Sequence, residues 1–306
     1  MATAKTIEVV YSVVMKLCLG CSANYDLELS ACPSCGWSPA EVEGFVAYAP
    51  EMAYQSEGYH PEQIDVLKSN EGATYFWFEQ RAKLITEVIE RRKPDLHSWL
   101  EIGFGTGYLL DKVANVFPAA QIMGSDVFVA GLRHSNRKQN ELVQMDAAQI
   151  PFTEAFDGVG AFDVLEHISD DQKVINEVFK SLKPGGIFCA TVPQHNWLWS
   201  SADDNAQHVR RYAPKELAEK METAGFRVME NTSFMTTLLP LMLVSRLRAK
   251  KQYDRKKEFQ IPGLLNWLFG KMFAFDRLLI RFGLRLPVGG SRLVLGQKPR
   301  QALLDS

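Results

Sequence analysis

Residues 100–113 read LEIGFGTGYLLDKV. An apolar run meets three glycines at alternate positions, Gly103, Gly105 and Gly107, and an amphipathic stretch begins at once. A strand turning directly into a helix through such a loop is the entry unit of a doubly wound parallel sheet. Glycine follows the tight turn and lets a ligand approach the backbone. The rest of the chain keeps the alternation that such a sheet needs. Short apolar runs SWLEIG, QIMGSD, LVQM, GVGAFD, GIFCATV, RVMENTSF and SRLVLG are separated by helical patterns. In DDQKVINEVFKSLKPGG, for example, Val174, Ile175, Val178, Phe179 and Leu182 recur at helical spacing, and Pro184-Gly185-Gly186 stops the helix. The expectation is an α/β domain over residues 96–300, with seven strands and helices on both faces.

The loop spacing is G-x-G-x-G, whereas a dinucleotide site would read G-x-G-x-x-G. Glu101 stands two residues before the first glycine. Asp126 ends the second apolar run, where a carboxylate can take two ribose hydroxyls. Asp146, in VQMDAAQIPF, follows the third, placed to accept from an adenine amino group, and Asp163, in AFDVLEHI, follows the fourth. With these motifs in this order, Leu100 to about Phe234 resembles a class I S-adenosylmethionine-dependent methyltransferase with a Rossmann-like, seven-stranded sheet. The resemblance implies that Glu101, Gly103, Phe104, Gly105 and Gly107 line the methionine part of S-adenosylmethionine. It implies that Asp126, with Val127, holds the ribose, that Asp146 and Ala147 flank the adenine, and that Asp163 floors the reaction site. Residues 70–94 resemble a helical cap that precedes the first strand in bacterial methyltransferases of this class carrying a zinc ribbon. Phe76, Trp77 and Arg81 lie within two helical turns there. Either they face the cofactor together, with Arg81 pairing its carboxylate, or the aromatics are core contacts and Arg81 is in solvent.

Ahead of this unit, CLGCSANYDLELSACPSCG sets Cys18, Cys21, Cys32 and Cys35 in two Cys-x2-Cys pairs. Four thiolates suit one tetrahedral Zn2+, closed to substrate and therefore structural. The expected organisation is a zinc ribbon over 1–45, a helical cap and linker over 46–95, and the catalytic domain from 96. The fifth cysteine, Cys189, lies in an apolar run and reads as a core thiol. Zinc ribbons often meet nucleic acid, but residues 1–60 hold two basic and seven acidic side chains. Phosphate contacts need the opposite sign, so nucleic acid is not the expected partner. Glu8 inside the first apolar stretch argues against a secretion signal. No run reaches the ~18 apolar residues of a membrane span, so a cytoplasmic address is expected.

Methyl transfer to a hydroxyl needs a group to take the proton. His167, in LEHI, follows the fourth strand. His195 and His208 lie in VPQHNWLWSSADDNAQHVRRYAPKEL after the fifth, a loop crowded with Trp197, Trp199, Asp203, Asp204, Arg210, Arg211 and Tyr212. His195 or His208 is the expected base, the other reading being packing or solvent histidines. HVRRY resembles a stretch in methyltransferases acting on sugars, lipids and small hydroxylated substrates. The expected acceptor is therefore a small molecule, sugar or lipid-linked glycan, methylated on oxygen. A zinc-ribbon rRNA base methyltransferase and a non-catalytic cofactor-binding protein are the alternatives. Finally, residues 245–300 carry fourteen basic and three acidic side chains. Residues 235–288 read as a basic amphipathic insertion before the last strand. It is expected either to touch an anionic membrane peripherally or to pack as a lid with snorkelling cations.

Overall fold

The structure is a computed structural model that describes residues 15–26, 28–54, 75–248 and 261–300. Residues 1–14, 55–74 and 249–260 lie outside the described residues, and with them the start of the chain, much of the expected linker and the cation run of the insertion. The elements in chain order begin with β1 (Met15–Leu17), β2 (Asn24–Asp26), β3 (Ala40–Val42), β4 (Phe45–Ala47) and α1 (Phe76–Arg92). The alternating unit follows as β5 (Ser98–Ile102), α2 (Tyr108–Val116), β6 (Gln121–Asp126), α3 (Val129–His134), β7 (Leu142–Gln144), β8 (Phe152–Thr153) and β9 (Phe156–Phe162). It continues through α4 (Asp171–Ser181), β10 (Leu182–Pro193), α5 (Ser201–Asn205), α6 (Glu216–Thr223) and β11 (Arg227–Phe234). The chain closes with α7 (Leu239–Arg248), α8 (Gly263–Arg281) and β12 (Ser291–Gln297).

All seven expected runs are strands, and they form a continuous sheet in the order β11-β12-β10-β9-β5-β6-β7. The inner five pair in parallel, while β12 runs antiparallel between β10 and β11. The expectation of seven strands falls short by two. The β3–β4 hairpin continues the sheet past β7, with β4 parallel to it, giving nine. This hairpin straddles residue 45, the boundary expected between ribbon and linker.

Successive strand residues point to opposite faces, and the burial follows that rule. Trp99 joins one apolar cluster with Leu84, Ile85, Val88 and Ile89 of α1 and Leu110 and Val113 of α2. Leu100 joins the other, with Val174, Ile175 and Val178 of α4 and Leu217 and Met221 of α6. Full burial of such aliphatic side chains is worth about 1.5–3 kcal/mol each, so the sheet is held from both sides. Cys189 is buried in the first cluster, as expected of a core thiol.

Helix α1 is pinned across the sheet edge. Its last-turn cations Arg91 and Arg92 both reach Glu230 of β11, at 2.9 and 2.6 Å. Helix α8 lies along it: the Phe76 N–H donates to Asn266 Oδ1 at 2.8 Å, and the Phe76 and Phe269 rings meet edge-on at 5.7 Å. The ribbon hairpin β1–β2 is fastened to the sheet domain because β1 pairs antiparallel with β8. A chain of rings, Trp37 on Tyr48 and Tyr48 on Phe152, fills the joint.

Candidate active site

The glycine loop leaves β5 with three left-handed residues, Gly103, Gly105 and Gly107. At Gly103 a Cβ would sit 2.6 Å from Val164, so no larger residue fits. At Gly105 a Cβ would meet nothing within 4 Å, which leaves that stretch of backbone facing open space. Phe104 between them sends its side chain into the core, so only its backbone is at the loop. Glu101 is buried on β5 with Oε2 lacking a hydrogen bond. Burial pushes its carboxyl up to about 8, although the Arg81 charge and the Trp99 indole work against that rise. An orphaned buried carboxylate beside an open glycine cradle fits the ammonium of a bound amino acid. Asp126 ends β6 and accepts from the Phe128 N–H at 2.9 Å and the Gly105 N–H at 3.4 Å. Burial raises it to about 6, and those N–H groups oppose the rise. Val127 is fixed through its carbonyl, which accepts from Gln144 Nε2 at 2.8 Å. The same Gln144 amide binds Ala49, so the chain just past the β3–β4 hairpin braces this edge of the site. Asp146, after β7, closes a turn by accepting from the Ala148 N–H at 2.8 Å, beside buried Ala147.

Arg81 is buried, which excludes the solvent reading, and it has partners within the protein. Its Nη2 donates to Asp163 Oδ2 at 2.7 Å and to Thr191 Oγ1 at 3.1 Å, while its guanidinium lies over the Trp77 ring at 4.6 Å. Asp163 sits at a positive φ of 59°, and its Oδ1 takes the Thr191 hydroxyl at 3.1 Å. Arg81 is thus held by a protein carboxylate, because Asp163 and Thr191 from adjacent strands converge beneath α1. Arg81 Nε stays buried without a hydrogen bond.

The loops after β9 and β10 bring His167 and His208 together, ring edge to ring face at 4.8 Å. His208 Nδ1 lies 2.9 Å from Asp203 Oδ1, and Arg211 grips Asp203 with Nε at 2.7 Å and Nη2 at 3.1 Å. Burial would raise Asp203, but the bonds from His208 and Arg211 win and hold it well below the usual carboxylate range. The other His208 nitrogen, Nε2, is 4.0 Å from Glu166 Oε1. Glu166 is fully buried with both oxygens lacking a hydrogen bond. Burial, then the charge of Asp163, pushes it well above the usual value. His195 has other neighbours. It is left-handed, stacked on Trp197 at 4.8 Å, with Nε2 buried and unbonded. Burial, then Arg292 and Arg211, push it down, so it is neutral near neutral pH.

The sequence profile for the methyltransferase domain family matches residues 73–231, about half of the chain. The chain belongs to that family. A protein of Mycolicibacterium smegmatis named a probable S-adenosylmethionine-dependent methyltransferase is 34% identical over 158 residues, 50% of this chain and 60% of that one. The ubiquinone biosynthesis O-methyltransferase of Pseudomonas putida is 26% identical over 186 residues, 58% of this chain and 72% of that one. The chain therefore spans rather more than half of the first relative and nearly three quarters of the second. Phosphoethanolamine N-methyltransferase 2 of Haemonchus contortus, solved with S-adenosyl-L-methionine, shares the fold. Its TM-score is 0.52 at 20% identity, over 82% of this chain and 60% of that one.

Within this family member the four cysteines gather at the ribbon tip. Cys18 and Cys35 sulfurs are 3.6 Å apart, Cys21 and Cys32 sulfurs 3.7 Å, and all four lie within 4.8 Å of one another. Four thiolates at Zn–S of about 2.3 Å stand about 3.8 Å apart in a tetrahedron, so the donor set fits zinc. Two residues of the histidine pocket escaped the sequence reading as chemical groups, Glu166 and Asp203. Glu166 neighbours His167 in LEHI, and Asp203 precedes His208 by five residues, but neither spacing alone distinguishes a partner from a helix cap. Asp203 is indeed both, since its Oδ2 also accepts from the Ser200 N–H at 2.8 Å in a capping box.

Proposed function

We propose that the protein transfers the methyl of S-adenosylmethionine to a hydroxyl of a small molecule, sugar or lipid-linked glycan, with His208 taking the proton. The cofactor supplies an electrophilic methyl; the chain has to hold it, keep water out and remove the acceptor's proton. Glu101 and the glycine loop take the amino-acid end of the cofactor, Asp126 the ribose, and Asp146 with Ala147 the adenine. Trp77 and Arg81 close over the reacting end, with Arg81 locked to Asp163. The observation that carries the choice of base is the Arg211–Asp203–His208 chain. Asp203 fixes the His208 proton on Nδ1, which leaves Nε2 as acceptor, and the ionised Asp203 carboxylate stabilises the imidazolium once it forms. Oxygen as the attacked atom draws further support from the ubiquinone biosynthesis O-methyltransferase relatives. Exposed Trp197 and Trp199 in the same loop suit a ring-bearing acceptor. The four cysteines hold a structural zinc that fastens the front of the domain.

The test is release of S-adenosylhomocysteine with a panel of catechols, sugars and polyprenyl-linked glycans. His208→Gln should lower kcat by about 10²–10⁴-fold and leave cofactor affinity within twofold or so. A variant that keeps its kcat removes His208 as base. A second reading has one observation behind it: Glu166, His167 and His208 offer ligand atoms within 4.8 Å of one another, close enough to share a divalent cation. Activity abolished by a chelator and restored by Mg2+ or Zn2+ would favour that reading over a bare histidine.

A further inference from the structure

Helix α8 has two apolar faces, and the fold uses one. Phe269, Phe273 and Ile280 pack inward, with buried Asp276 capping the Thr236 and Thr237 N–H groups. The opposite stripe is Leu264, Trp267, Leu268, Lys271, Phe275 and Leu278, with Phe282 just past the helix end. At 3.6 residues per turn these positions fall within about 100° of one another. Its large members stay exposed, Leu264 at 76%, Trp267 at 59%, Phe275 at 52% and Phe282 at 74%. Side chains this apolar, aligned along 19 residues, are not the scattered exposure of an ordinary surface.

We propose that this stripe docks on an anionic membrane surface. The inference concerns where the protein sits and does not depend on the acceptor. Two features favour a bilayer. The one polar member of the stripe is Lys271, whose ammonium lies 5.7 Å over the Trp267 ring, a pair suited to the headgroup level. Exposed Arg281 and Arg285 flank its end, and of the helix's cations only Arg277 meets an acid among the described residues, Glu87 at 3.3 Å. Lys271, Arg281 and Arg285 thus leave the described end of the stripe with a positive excess, complementary to anionic lipid. A second copy of the chain is a worse occupant. Lys271 stands at the middle of the helix, so two-fold antiparallel pairing would set it against its own mate in an apolar interface. No helix among the described residues is long and apolar enough to cross a membrane, so α8 lies on the surface and does not span it. Because α8 rests against α1, whose Arg81 binds Asp163 at the end of β9, docking would bring that end of the sheet toward the headgroup layer.

The experiment is co-sedimentation of the full chain with phosphatidylcholine vesicles, with and without phosphatidylglycerol. Trp267→Ser/Phe275→Ser and Lys271→Gln/Arg281→Gln/Arg285→Gln are run beside the wild type. All these side chains are exposed, so melting temperature and S-adenosylmethionine affinity should hold in both variants and serve as the folding control. The wild type should partition onto the anionic vesicles and come off as salt rises. The aromatic variant should lose at least tenfold in partitioning. The cation variant should lose its preference for phosphatidylglycerol, since each cation near such a surface is worth about fivefold. The proposal is overturned if the wild type ignores the vesicles or if binding survives the aromatic variant. It is equally overturned if light scattering finds a wild-type dimer that the aromatic variant breaks, with no vesicle binding by either.

Discussion

Glu101→Gln should make the protein without cofactor more stable and its cofactor binding weaker. Raising a carboxyl from the usual 4.5 to about 8 makes its ionised form about 5 kcal/mol costlier in the folded chain than in the unfolded one. The sign follows from proton counting. Below pH 4.5 both states hold the proton and there is no penalty. Between 4.5 and about 8 the unfolded chain ionises first, so the folded state loses ground steadily as pH rises. At pH 7 the accumulated cost is about 3 kcal/mol, and glutamine, which cannot ionise, escapes it. The amide matches the protonated acid in shape, and Glu101 is only 3% exposed, so solvent does little to soften the difference. Thermal melts at pH 7 should place the variant several degrees above the wild type, with the two converging at pH 4. Binding goes the other way. The loss of a charged acceptor for the cofactor's ammonium is worth about 1.5–3 kcal/mol, or roughly tenfold to a hundredfold in Kd by calorimetry. The wild type should also release close to one proton on binding at pH 7, read as a buffer-dependent enthalpy, and the variant should lose that release. A variant that is less stable at pH 7, or whose stability difference is the same at pH 4, would show that Glu101 is already satisfied in the folded chain.

Two further substitutions test the remaining parts of the site. Asp126→Ala removes the ribose acceptor that also ties down the Gly105 and Phe128 N–H groups, so S-adenosylmethionine affinity should drop tenfold or more; unchanged calorimetry, or binding of NAD in its place, removes Asp126 from the cofactor site. Cys32→Ser should lower the metal content of purified protein from one zinc per chain and reduce its melting temperature, since Cys32 is buried at the ribbon tip. Elemental analysis finding no stoichiometric zinc in the wild type overturns the ribbon assignment.

What the sequence made legible, and what it did not, divides along the range of the interactions. The strands of the seven-stranded unit stand out because both faces of the sheet are covered. A strand buried on two sides is an unbroken apolar run, as in GIFCATV. The β3–β4 hairpin gave no such signal. Its strands are three residues long, AEV and FVA, and β3 is largely exposed. Its place beside β7 is fixed by long-range bonds, the Tyr48 N–H to the Gln144 carbonyl at 2.8 Å and the Gln144 amide to Ala49. No local periodicity encodes a contact between residues 95 positions apart. Strand-end acids are legible for a topological reason, since an open parallel sheet puts its ligands outside the carboxyl ends of its strands. The partner of each polar group is another matter. Arg81 could have faced cofactor, solvent or protein, and which of these holds depends on Asp163 adopting a positive φ that aims its carboxylate at α1. The histidine pocket is more dependent still. His208 is oriented by Asp203, and Asp203 by an arginine eight residues along the same loop, while Glu166 enters from a different strand end. A density of His, Trp and Arg marks such a loop as a place where chemistry is possible. Which nitrogen is left to accept a proton is decided by the hydrogen bond on the other side of the ring, and that bond exists only once the fold has closed around Asp203.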